Sequence, residues 1–126
     1  MSAEKNVIGT PLETCSLSPA TGFERSGSCR TPDRDVGVHG VCSIVTKNFL
    51  NFTRSRGNDL STPNPLHGFP GLRPGNRWCL CASRWQEAME HGAAPAVVLA
   101  ATSEKVLDYL SLKDLMKFAA DTTQRE

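Results

Sequence analysis

Five cysteines and one nearby histidine are the residues of this sequence best suited to chemistry. His39 stands three residues before Cys42, and Cys79 and Cys81 are separated by one residue. In an extended segment, alternate side chains point to the same face, so Cys79 and Cys81 could bind one ion together. Four soft or borderline ligands are what a closed structural zinc site needs. The pattern thus predicts a metal or thiol site, with zinc or iron as the candidate metal, built from Cys29, His39, Cys42, Cys79 and Cys81.

The same cysteines also fit thiol chemistry. Cys79 and Cys81 directly precede a predicted helix and are flanked by Arg77 and Arg84. A helix N-terminus and neighbouring cations favour the thiolate, which is the reactive form of cysteine. A nucleophile pair of His39 with Cys42, Cys79 or Cys81 is a second form of this hypothesis.

The plainest interpretation of the cysteines is structural. Free cysteine is among the most buried residue types and packs as a small hydrophobic side chain. The number of cysteines is odd, and the polar N-terminus does not resemble an export signal. We therefore expect a cytoplasmic protein whose cysteines are thiols or ligands and not disulfides.

The basic residues are unevenly distributed along the chain. Net charge is +1, yet residues 25–84 carry nine Lys and Arg against three Asp, and eight of the nine are Arg. Arginine offers a planar fork that binds carboxylates and phosphates at two points. This segment predicts either a site for a small anionic ligand or nucleotide, or arginines that simply hold surface loops. The candidates for such a site are Arg54, Arg56, Asp59, Arg77 and Arg84.

Several polar residues have both a functional and a structural interpretation. Asp33 and Asp35, close to His39, could serve as metal ligands or acid–base groups, but loop solvation is the interpretation we favour. Asp59 lies in a run of small polar residues that could form a pocket, but this run is more typical of a capped turn. The weak net charge and the absence of a phosphate-binding glycine motif disfavour nucleic acid as a partner.

The segments that would position these residues form an α+β pattern with a small sheet and about three helices. Thr46 is a predicted N-cap of the first helix, which Gly57 ends. The second is predicted to begin at a capping box of Ser83 and Gln86, and the third at Ser111, with Leu112, Leu115, Met116 and Ala119 buried. Strands are predicted at residues 40–45, 77–81 and 96–101. Between them lie long irregular loops; residues 57–78 alone hold four Gly and four Pro.

Length and composition fit one domain. A chain of 126 residues with 39% hydrophobic residues can form a single core, so we assign residues 1–126 to one domain with frayed termini at 1–5 and 121–126. The longest uncharged apolar stretch, residues 93–102, is too short to span a bilayer, so no membrane partner is expected.

A set of specific motifs runs through almost the whole chain, from residue 6 to about residue 120. They include the segments 6–15, 35–42, 55–63, 68–72 and 77–85. The sequence thereby resembles a family of short proteins of bacteria, algae and plants that is catalogued only as a domain of unknown function. The resemblance implies a single-domain protein and supplies no activity. Members of that family often carry adjacent cysteines where this chain has Ser28-Cys29.

Three functions remain open from the sequence, and it does not decide whether the protein is an enzyme. The first is a small binding or interaction module whose loops are held by a Cys/His cluster around a metal ion. The second is a thiol-dependent redox protein or enzyme that uses Cys79 or Cys81. The third is an anion or nucleotide binder that uses the arginine-rich central segment.

Overall fold

The computed structural model describes residues 4–121, and the termini predicted to fray lie largely outside this range. Its elements confirm the predicted α+β class. Three short strands, β1 (Val41–Ile44), β2 (Arg77–Leu80) and β3 (Ala96–Val97), alternate with three helices, α1 (Lys47–Ser55), α2 (Ala82–Glu90) and α3 (Leu112–Lys117). Short 3-10 helices occur at Pro65–His67, Leu99–Ala101 and Glu104–Asp108.

The sheet is antiparallel, with β1 in the centre between β2 and β3. Cys42 of β1 lies opposite Cys79 of β2, and Ser43 lies opposite Trp78. Side chains on this central strand are almost fully buried. Strands this short bury little surface by themselves, so the sheet depends on the helices and loops packed on it.

The first helix follows its sequence signals. Thr46 accepts a hydrogen bond from the backbone N–H of Phe49, at 3.0 Å, as an N-cap should. Gly57 follows the helix with a φ of +88°, a conformation that glycine adopts without steric cost. Phe49 and Leu50 are buried against the rest of the core.

The second and third helices require two corrections. The predicted Ser83–Gln86 capping box is wrong, because the N-cap of α2 is Cys81, two residues before Ser83, and it makes no side-chain capping bond. Ser111 caps α3 as predicted, accepting from the N–H of Asp114 at 3.0 Å. Met116, expected in the core, is 50% exposed, because this helix is too short to pack more than the Leu115 side of its surface.

The core is centred on Trp85 of α2, which is fully buried. Its ring meets Phe118 edge-on at 5.5 Å, and its indole N–H donates to the carbonyl of Pro95. Such a contact satisfies the polar end of the largest core side chain while its apolar body is buried. The third strand is shorter than predicted, since the chain turns into the 3-10 helix Leu99–Ala101 after Val97.

The N-terminal segment, residues 4–37, has no helix or extended strand but is firmly tied to the domain. Asn6 is buried, and its amide donates to Thr10, Pro11 and Ala100 while its side-chain oxygen accepts two backbone N–H groups. A fully bonded buried amide of this kind holds irregular chain in one conformation. Among residues 4–121 no helix has the length and apolar character needed to cross a membrane.

Candidate functional site

Four of the five cysteines are paired in two disulfides, contrary to the expectation of free thiols or ligands. Cys15 is bonded to Cys42, with Cα atoms 5.8 Å apart, and Cys29 is bonded to Cys79, with Cα atoms 5.3 Å apart. Both separations are ordinary for disulfides. Each bond joins the irregular N-terminal segment to a strand, and so substitutes for the regular hydrogen bonding that this segment lacks.

The two disulfides form one buried cluster. The sulfur atoms of Cys15, Cys29 and Cys79 all lie within 4.8 Å of one another, and Cys42 and Cys79 face each other across the sheet. Their surroundings are apolar, supplied by Val98, Ala101 and Ile44. Sulfurs engaged in disulfides are not thiolates and do not serve as metal ligands. The geometry therefore does not bring His39, Cys42, Cys79 and Cys81 together as a four-ligand site.

Cys81 is the free cysteine of the described chain and is half-buried. It follows the last residue of β2 and occupies the N-cap position of α2. Its side chain makes no capping hydrogen bond, so the thiol is free for other contacts. The side chain therefore lies beside the partial positive charge of a helix N-terminus.

His39 is fixed beside Cys81 by a buried aspartate. Asp35 has a fully buried side chain; one oxygen contacts the Nδ1 of His39 at 2.7 Å and the other accepts the backbone N–H of the same residue at 2.8 Å. This double attachment sets both the position and the rotation of the imidazole. The interpretation of Asp35 as a solvated loop residue is therefore wrong. Its side chain is buried, and among residues 4–121 its hydrogen-bond partner is His39.

Gly37 leaves the space in which the thiol and imidazole approach each other. A Cβ atom at this position would lie 2.9 Å from the Cε1 of His39 and 3.4 Å from the Sγ of Cys81. The two functional side chains thus pack over the same backbone atom. The next residue, Val38, accepts the N–H of Ala82 with its carbonyl, so the His39 turn is attached to the start of α2.

The electrostatics of this group favour a protonated histidine. Hydrogen bonding to Cys81 is the largest effect and, with the bond to Asp35, raises the pKa of His39 to about 9 against the opposing effect of burial. A raised folded-state pKa stabilises the fold fully at pH values below about 6.5. That stabilisation is lost as the pH rises through about 9. Near neutral pH His39 is therefore an imidazolium.

Cys81 and His39 line a cleft of about 270 Å³. Its other walls come from the long loop between α1 and β2, from β2 itself and from the N-terminal segment, and include Arg25, Asn58, His67 and Trp78. The cleft combines apolar surface with a few polar groups, as small-molecule sites commonly do. Cys81, His39 and a surface that combines apolar and polar groups thus occur at one place.

The arginine candidates lie elsewhere. Arg84 donates to the carbonyl of Arg56 and pairs with Glu87, while Arg56 contacts the imidazole of His91. These contacts hold the ends of α1 and α2 together, and neither arginine lines the cleft. Arg54 and Arg77 are exposed and likewise lie outside the cleft walls.

Asp59, the remaining candidate, lines the cleft but is engaged in its own turn. One carboxylate oxygen accepts the N–H groups of Ser61 and Thr62, and the other accepts the Thr62 hydroxyl. These bonds lower the pKa of Asp59, with the Thr62 hydroxyl the largest cause. The capped turn favoured from the sequence is the structure observed.

Sequence reasoning missed Arg25 and underrated Asp35. Asp35 stands four residues before His39, and this spacing was the available signal for the pair. No local sequence pattern distinguishes Arg25 from the other arginines, because its place in the cleft wall depends on how residues 22–25 turn against Trp78.

Comparison with known proteins yields a family and no function. Residues 5–119 match the model of a family described as an uncharacterized protein conserved in bacteria (DUF2237). No curated protein matches the chain. The match covers nearly the entire chain and confirms the resemblance seen in the motifs to a domain of unknown function. The protein belongs to the DUF2237 family of uncharacterised proteins conserved in bacteria.

Proposed function

We propose that the protein is a thiol-dependent enzyme of the acyl-transfer class, with Cys81 as nucleophile, His39 as acid–base partner and Asp35 as the residue that orients His39. The observation that carries this proposal is the Asp35–His39–Cys81 arrangement at the wall of a cleft. A nucleophile, a base and a group that orients the base are the signature of activated covalent catalysis.

The chemistry follows from which atoms are already engaged. Asp35 holds the Nδ1 of His39, so Nε2 is the nitrogen that exchanges a proton with substrate. The Cys81 thiolate attacks the carbonyl carbon and forms an S–C bond, while the bond from that carbon to the leaving group breaks. The His39 imidazolium gives its proton to the leaving group. Water then attacks the thioester with neutral His39 accepting its proton, which releases the acid and restores the thiolate.

Other functions drawn from the sequence have less support from geometry. A metal-holding interaction module would need thiolates at Cys42 and Cys79, whose sulfurs are bonded to Cys15 and Cys29. An anion site on the predicted arginines would need them to converge, and all four lie outside the walls of this cleft. A redox role for Cys81 would use the same thiolate as our proposal. The thiolate would then attack a disulfide sulfur instead of a carbonyl carbon.

The disulfides also bear on the expected location. Glutathione and thioredoxin keep cytoplasmic thiols reduced, so two disulfides favour a more oxidising compartment than the cytoplasm expected from the sequence. The cytoplasmic location stays a prediction that fractionation of the native host would test.

The proposal is tested with an activated ester such as p-nitrophenyl acetate, under non-reducing conditions. We expect release of nitrophenol about 100-fold faster than with glutathione at the same thiol concentration, and one acetyl group on Cys81 by peptide mass spectrometry. Cys81→Ala should abolish both signals. Ser83→Ala, which changes an exposed residue two positions further along the chain in α2, should leave them unchanged. Acetylation of other residues, or a rate equal to that of glutathione, would refute acyl transfer at Cys81.

A further inference from the structure

Arg25 is a cation in the cleft wall that pairs with no carboxylate of the described residues 4–121. Its guanidinium lies 4.9 Å from the centre of the Trp78 ring, and Nη1 donates to the carbonyl of Gly22 at 2.7 Å. Among residues 4–121 no Asp or Glu lies within ion-pairing distance of it, whereas Arg30, Arg34 and Arg84 each have such a partner. The stacking and the single hydrogen bond fix the group and leave most of its donors free.

The backbone places Arg25 at some steric cost. Its φ is +58°, in the left-handed region that side chains other than glycine rarely adopt. The turn is closed by a hydrogen bond from the Arg25 N–H to the carbonyl of Gly22, the same oxygen that Nη1 reaches. Strained positions held by their surroundings are concentrated at functional sites.

Arg25 offers the cleft a contact for an anion. The other charged groups of the cleft are already engaged, because His39 is paired with Asp35 and the carboxylate of Asp59 accepts the N–H and hydroxyl groups of its own turn. Trp78 and Phe69, whose ring centres lie 5.3 Å apart, give the cleft aromatic surface, and the Arg25 guanidinium lies over the Trp78 ring. A ligand that matches these residues combines an anionic group for Arg25 with an apolar segment.

We propose that Arg25 binds a carboxylate of the substrate, so that the cleft accepts acyl compounds carrying a flat apolar segment between the reacting carbonyl and a free carboxylate. This inference rests on the proposed function, because it takes Cys81 as the attacking group. A planar guanidinium binds a carboxylate through two parallel hydrogen bonds, which fixes the substrate's orientation as well as its position.

The test compares two alkylating reagents of the same shape, 4-(bromomethyl)benzoate and 4-(bromomethyl)benzamide. With each, the Cys81 thiolate forms an S–C bond as the C–Br bond breaks and bromide leaves. The ratio of the two rates, divided by the same ratio for glutathione, reports the preference for the carboxylate. We expect this normalised ratio to be about tenfold in favour of the benzoate, the effect of one charge-assisted contact.

Variants locate the preference. Arg25→Gln should reduce the normalised ratio to about one with the benzamide rate unchanged, and Arg25→Lys should give an intermediate ratio because it keeps charge and loses the fork. Arg73→Gln, the same change of charge outside the cleft, should keep the wild-type ratio. If Arg25→Gln does not fold, protection of wild-type Cys81 from the benzamide by free benzoate, and not by free benzamide, gives the same information.

The outcomes separate the two proposals. A fast benzamide reaction with a normalised ratio near one would overturn the role of Arg25 while leaving Cys81 as a nucleophile. A wild-type ratio that persists in Arg25→Gln would overturn it equally. Labelling of Cys81 by the benzamide no faster than that of glutathione would contradict the proposed function, and the substrate inference with it.

Discussion

Replacing His39 with glutamine is expected to slow the alkylation of Cys81 by iodoacetamide about 100-fold at pH 6. An ordinary thiol with a pKa of about 8.5 is only about 0.3% ionised at pH 6, whereas the proposed mechanism requires the His39 imidazolium to stabilise the thiolate of its partner. The lower intrinsic nucleophilicity of a stabilised thiolate offsets part of this difference. The effect should shrink steadily toward pH 9, where His39 itself loses its proton.

The measurement is the rate of alkylation between pH 5 and 9, followed by mass spectrometry of the Cys81 peptide. His67→Gln is the matched control, because it makes the same substitution in another wall of the same cleft. Its profile should follow the wild type. Equal rates for His39→Gln and the wild type at pH 6 would show that His39 does not activate the thiol.

The second large effect is on stability. Reduction of both disulfides should unfold the protein near 37 °C, because the bonds close loops with sequence separations of 27 and 50 residues. On the chain-entropy estimate, loops of this size stabilise by about 3.5 and about 4 kcal/mol. A domain of ordinary stability has about 5–15 kcal/mol in total. The irregular segment 4–37 would lose its main attachment to the sheet.

Denaturant unfolding of three variants measures this effect. Cys15→Ala/Cys42→Ala and Cys29→Ala/Cys79→Ala should each lower the free energy of unfolding by about 2–5 kcal/mol. Cys81→Ser, which breaks no disulfide, should lower it much less. Unchanged stability in reducing agent would mean that the four buried cysteines do not form these bonds in solution.

The elements could be predicted from the sequence where a local signal determines them. Helix starts are marked by the capping side chains of Thr46 and Ser111, and the end of α1 is marked by Gly57, which has no side chain and a positive φ. These predictions were confirmed. The start of α2 was misplaced because Ser83 and Gln86 imitate a capping box, while the true N-cap, Cys81, offers no capping bond to recognise.

The site could be predicted only in its composition. Cys81 and His39 were both candidates, but their meeting depends on the turn 35–38 that ties His39 to the start of α2, and no local pattern specifies that contact. The disulfide pairing joins cysteines 27 and 50 residues apart, and connectivity of this kind does not follow from spacing. The same holds for Arg25, whose role arises from a turn packed on Trp78.

The proposed ion pair of His39 and Cys81, held by Asp35, is tested most directly by the titration of His39. NMR of the three histidine side chains against pH, with His39→Gln to assign the resonance, should give a midpoint of about 9 for His39. In Cys81→Ser the midpoint should fall, since the thiol is the largest cause of the raised pKa. A wild-type midpoint near the ordinary histidine value of about 6.5, or one that Cys81→Ser leaves unchanged, would contradict the account.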